Sequence, residues 1–126
     1  MNAKQSLFAG SLLGLLGVGL GAFGAHALHD MLTASDKLHT YELAVRYQFY
    51  HAFALLLGGV IQNNFPSRWL KYSSLCFLSG VIFFCGSLYT LSFISLKGVA
   101  LVTPFGGVLL MSGWILLLVG IGKGAK

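Results

Sequence analysis

His26, Tyr47, Gln48, His51, Ser87, Tyr89 and Thr103 are the residues whose types could do chemistry in this chain. An imidazole titrates near neutral pH and can carry a proton or ligate a metal. The glutamine, tyrosines and hydroxyls supply donors and acceptors that are costly at membrane depth unless paired. The spacing limits what they can do. Two histidines without further haem signals read as core residues. A metal site would need a third or fourth ligand, and His29, His39 and Asp30 fall in a loop. Ser87 has no strained-turn motif around it to make it a nucleophile. No cofactor, metal or catalysis is expected. The remaining readings are hydrogen bonding between helices, or a pocket for a proton, small solute or lipid headgroup.

The elements that position these residues follow from composition. The chain has 126 residues, of which 56% are hydrophobic and only 9% charged. Soluble domains carry roughly 25% charged residues, so the sequence reads as a membrane protein. A bilayer core of about 30 Å needs about 20 apolar residues per helix. Four such stretches, 6–28, 43–62, 69–94 and 103–121, use nearly the whole chain. The expected fold is all-α, a single domain over 1–126 built as an integral membrane bundle of four transmembrane helices. Short connections favour antiparallel neighbours. No internal repeat or low-complexity segment stands out.

The first span carries Gly10, Gly14, Gly17, Gly21 and Gly24, at spacings of four, three, four and three. Small residues so spaced let two helix backbones approach in lipid, where van der Waals contact replaces the hydrophobic effect. A weaker small face on the third span, through Ser73, Cys76, Gly80 and Ser87, makes that span the expected partner. The seam is also long enough to predict a homo-oligomer. In the second span Ser35 or Asp36 is the expected cap, and Glu42 and Arg46, four apart, are expected to pair on one face. The fourth span opens with "TPFGG", where Thr103 suits the N-cap and Pro104 the first helical position, leaving Gly98 to Val102 nonhelical. Cys76 and Cys85 are too far apart along one helix to form a disulfide.

Cytoplasmic flanks are enriched in Lys and Arg. Lys4, Arg68, Lys71, Lys123 and Lys126 fall on one side; Lys37, Arg46 and Lys97 fall on the other with every acid, Asp30, Asp36 and Glu42. Both termini are therefore expected in the cytoplasm. The net charge of +5 then reads as topology and affinity for anionic membrane lipids. Its scattered cations do not form the basic stripe of a nucleic-acid binder.

"GAFGAHAL" (Gly21 to Leu28), "YQFYHAFALL" (Tyr47 to Leu56), "FCGSLY" (Phe84 to Tyr89), "TPFGG" (Thr103 to Gly107) and "GW" (Gly113 to Trp114) resemble, in order and spacing, the blocks of the domain of unknown function 423 family. These are small four-span membrane proteins of bacteria, with relatives similar to transmembrane protein 256. The resemblance implies four spans and the bacterial inner membrane, and no established activity. Function therefore rests on the residues. In the expected topology the seven polar residues gather toward the extracytoplasmic side, with His26 and His51 in one network with Gln48 and Tyr89. The chain reads as a noncatalytic, self-associating bundle holding a polar pocket; the alternative is a small transporter or channel. Few polar residues in the cytoplasmic halves favour the bundle.

Overall fold

The computed structural model describes residues 1–124, so Lys126 lies outside the described residues. They form six helices and no strand: α1 (Ala3–Ala25), α2 (His29–Ala34), α3 (Leu38–Asn64), α4 (Arg68–Phe93), α5 (Lys97–Ala100) and α6 (Val102–Gly124). Three segments are long and apolar enough to cross a membrane, Ala3–Ala25, Arg68–Phe93 and Lys97–Gly124. At 27 residues α3 is the longest helix, about 40 Å at 1.5 Å per residue. It falls below the others in apolarity because Glu42, Arg46, Gln48, His51 and Gln62 lie along it.

The α3–α4 hairpin is the centre. α1 packs on α3 and α6 packs on α4, whereas α1 has only slight contact with α4 and no packed interface with α6. This corrects the expectation that the first and third spans would pair. Glycine explains both interfaces. A Cβ at Gly10 would lie 2.8 Å from the Ala52 carbonyl oxygen, one at Gly17 2.9 Å from the Phe49 ring, and one at Gly24 against Tyr41. At Gly14 an added Cβ would meet nothing within 4 Å. The packing seam is thus Gly10, Gly17 and Gly24, seven apart, with Gly21 touching Val45 at its edge and Gly14 pointing elsewhere.

The same device builds the other side. Gly106, Gly113 and Gly120 of α6 receive Phe84, Phe77 and Leu70 of α4, also seven apart and in antiparallel register. Gly80 of α4 in turn receives Leu110. The small face of α4 thus serves α6, and the Ser73 hydroxyl donates to the Gly113 carbonyl at 2.7 Å across this contact. Repeats of seven keep one stripe facing its partner over many turns, and glycine lets the bulky partner approach where lipid offers no hydrophobic drive.

The connections differ from expectation. α1 stops at Ala25, and Leu28 to Ala34 turn into α2, anchored by the fully buried Leu32. Asp36 then adopts a left-handed conformation, φ 58°. Its N–H donates to the Thr33 carbonyl and that of Lys37 to the Leu32 carbonyl, a Schellman ending of α2. Neither Ser35 nor Asp36 therefore caps α3: the Ser35 hydroxyl bonds back to Met31 and Leu32, and Lys37 stands at the α3 N-cap without a side-chain bond. Residues 97–100 form a helical turn where a nonhelical approach was expected, and α6 begins at Val102. Pro104 still sits in the first turn, where its missing N–H costs no intrahelical bond. The start of α1 is capped by a reciprocal pair: Asn2 Oδ1 accepts from the Gln5 N–H at 2.8 Å, and Gln5 Oε1 from the Asn2 N–H at 3.0 Å.

Candidate functional site

The expected polar cluster is in fact three separate ties and one outlier. Gln48, facing inward from α3, joins three helices. Its Nε2 donates to the Leu13 carbonyl of α1 at 2.8 Å, and its Oε1 accepts from the Tyr89 hydroxyl of α4 at 2.7 Å. A carbonyl can only accept, so the amide has one orientation that satisfies both contacts. Tyr41, not singled out in the sequence, extends the tie toward the α2 end. Its hydroxyl donates to the Leu20 carbonyl, and its ring meets Tyr89 edge-on at 5.4 Å.

The second tie belongs to His51, one turn further along α3. Nδ1 lies 2.7 Å from the Tyr47 carbonyl, and Nε2 lies 3.2 Å from the Trp114 indole Nε1. The carbonyl requires Nδ1 to carry the proton, and the indole N–H requires a bare Nε2 to accept it. His51 is therefore neutral, in one tautomer, with both nitrogens occupied. Phe77 packs against both rings, with centroids 5.6 Å from His51 and 5.0 Å from Trp114. Tyr47 takes part through its backbone and through its ring, which lies 4.8 Å from Phe84.

Ser87 and Thr103 make the third tie, between α4 and α6. The Ser87 hydroxyl donates to the Phe84 carbonyl at 2.8 Å, so at 2.6 Å it accepts from Thr103. Thr103 thus binds a neighbouring helix instead of capping its own. His26 is the outlier. It is exposed in the C-cap of α1 and joins neither Gln48 nor His51, because α1 ends before carrying it into the bundle. Glu42 and Arg46 are both exposed and unpaired; the ion pair among the described residues is His29 with Asp30, at 3.6 Å. On a water-facing surface such a pair gains little.

A further tie at the opposite end was missed. Gln62 Nε2 donates to the Ser74 hydroxyl at 2.9 Å and to the Ser6 hydroxyl at 3.2 Å, binding α3 to α4 and α1. Its signal was a glutamine within the last turns of an otherwise apolar helix. Among the described residues, no buried side-chain nitrogen or oxygen lacks a partner.

Among the cavities that border these ties, one contains the His51–Trp114 pair. Between α3 and α6 lies an open groove of about 540 Å³, with Tyr47, Tyr50, Phe84, Pro104 and Met111 on its walls and His51 beside Trp114. The lining is aromatic and aliphatic, so the pocket differs from the polar one expected: its polar pair is already hydrogen-bonded.

The family described as "Protein of unknown function (DUF423)" matches residues 20–107. The UPF0382 membrane protein SAB0533 of Staphylococcus aureus (strain bovine RF122 / ET3-1) is 39% identical over 95% of this chain and 97% of its own length. The UPF0382 inner membrane protein YgdD of Escherichia coli (strain K12) is 37% identical over 95% of this chain and 91% of its own. No solved structure matches. With the family signature spanning most of the chain and relatives similar along nearly all of it, the chain belongs to the DUF423 family.

Proposed function

We propose that this chain is a noncatalytic four-span protein of the bacterial inner membrane that holds an apolar, membrane-soluble molecule in the groove between α3 and α6. The name of the Escherichia coli relative supports the location. The fourth span is α3: its polar side chains Gln48, His51 and Gln62 are buried against neighbouring helices, so the helix need not be apolar to sit in lipid. Lys4, Arg68, Lys71 and Lys123 at one end favour cytoplasmic termini. The groove then lies in the extracytoplasmic half.

The observation that carries the reading is the contrast between ties and groove. Among the described residues each buried polar side chain has a partner, which suits holding helices together, while this groove is lined by rings and aliphatic chains, which suits an apolar occupant. Transport of a proton or solute would need polar groups in sequence along a path, and the ties are discrete. Self-association loses the seam as its surface, since Gly10, Gly17 and Gly24 are filled by α3; the outer leucines of α1 are the surface left for it.

The test against transport is flux through liposomes containing the full chain. Proton and small-solute leakage equal to that of protein-free liposomes is expected. Leakage that rises with the amount of protein would replace binding with conduction.

A further inference from the structure

The end of the bundle opposite the groove holds cations and, among the described residues, no acidic side chain. All three acidic side chains, Asp30, Asp36 and Glu42, lie on α2, its following turn and the start of α3. Arg68 and Lys71 open α4, and Lys123 closes α6. Antiparallel packing brings the two helix ends together: Gly120 accommodates Leu70, and an added Cβ at Gly124 would lie 3.4 Å from that of Phe65. The half-buried Trp69 ring is the meeting point. The Lys123 ammonium sits 4.7 Å from its centroid and the Arg68 guanidinium 5.5 Å.

Each cation gains from the electron-rich ring, and together they gather positive charge at one indole. Lys123 also complements the carbonyl end of α6, but the α4 start is the positive end of its helix and adds to the local field. An anion at this end would be attracted by both charges. A tryptophan beside them suits headgroup depth, and the exposed apolar chains of Tyr72, Leu118 and Ile121 continue from the cluster along α4 and α6.

We propose that Arg68, Trp69 and Lys123 form a binding site for the phosphate of an anionic membrane lipid, whose acyl chains lie along α4 and α6. The guanidinium and ammonium supply the positive charge that holds the phosphate, and the ring packs beside both cations. Lys71, exposed one turn into α4, adds to the field that favours an anionic over a zwitterionic lipid. The site rests on the helices crossing the membrane and is independent of the groove, so either can fail alone.

Native mass spectrometry of the full chain, equilibrated with mixed phosphatidylglycerol and phosphatidylcholine, tests it. Phosphatidylglycerol should be retained selectively. Arg68→Gln and Lys123→Gln should each weaken retention about five-fold, the equivalent of about 1 kcal/mol per cation at a membrane surface. Lys123→Arg, which preserves the charge, and Lys97→Gln, at the other end, should retain the lipid as the parent does. Equal retention of the two lipids, insensitivity to both glutamine variants, or an equal loss in Lys97→Gln would overturn the proposal. So would displacement of the lipid by inorganic phosphate at low millimolar concentration, which would make this a site for a free anion.

Discussion

Tyr89 donates its hydroxyl to Gln48 at 2.7 Å while the same glutamine donates to the Leu13 carbonyl at 2.8 Å, so one side chain fastens α1, α3 and α4. Interhelical hydrogen bonds in membranes are worth about 0.6 kcal/mol on average and up to about 1.7. Gln48→Ala and Tyr89→Phe should each destabilise by that order. Because both remove the shared bond, the double variant should cost less than the sum. Reversible unfolding in mixed micelles reads this coupling, and strict additivity would separate the two residues.

The histidines give the opposite expectation. His26→Ala should leave the unfolding free energy unchanged, whereas His51→Ala should lower it by about 1–2 kcal/mol through the lost Trp114 contact and the space left beside Phe77. Their double variant should be additive, since exposed His26 shares no partner with His51. A coupling above about 0.5 kcal/mol would restore the joint network expected from the sequence.

Glycine substitutions separate the packing seam from the outer face. Gly106→Ala would set a Cβ 2.4 Å from the Phe84 backbone nitrogen, and Gly113→Ala would set one 2.6 Å from the Phe77 ring. Forcing such contacts costs about 1–3 kcal/mol. Gly14→Ala, with nothing within 4 Å, should be neutral or stabilising. Equal midpoints for all three would contradict the α4–α6 fit.

At Asp36 the backbone itself is the test. A left-handed residue costs an ordinary side chain about 1–2 kcal/mol, and glycine nothing. Asp36→Gly should be tolerated, while Asp36→Val should lower the midpoint, since a β-branched residue is a genuine outlier there.

Much of this was legible because membrane depth makes composition and spacing speak directly. The long apolar stretches and the glycines of α1 announced packed helices. The partner was not legible: in lipid the apolar faces of α3 and α4 are equivalent solvents for a glycine seam, and only bulk at matching depth, as with Phe49 and Tyr41, selects one. The α6 stripe Gly106, Gly113 and Gly120 carried the same signal at a spacing of seven but was overshadowed by the "TPFGG" motif. His26 misled because a polar residue at the end of an apolar run reads equally as a buried group or a surface cap. The short α2 escaped because its ending relies on a left-handed aspartate, which a capping rule assigns to the next helix.

The groove between α3 and α6 is expected to hold an apolar molecule. Gly107 borders it, and an added Cβ there would meet only the Phe84 ring, at 3.8 Å, so Gly107→Trp can fill the groove without breaking the helix contact. Native mass spectrometry of delipidated protein, in an Arg68→Gln, Lys123→Gln background to remove headgroup-bound lipid, compares this variant with Gly14→Trp on the outer face of α1. One retained apolar molecule is expected in the parent and in Gly14→Trp, and none in Gly107→Trp. A bare parent mass, or a ligand that survives Gly107→Trp, would contradict it.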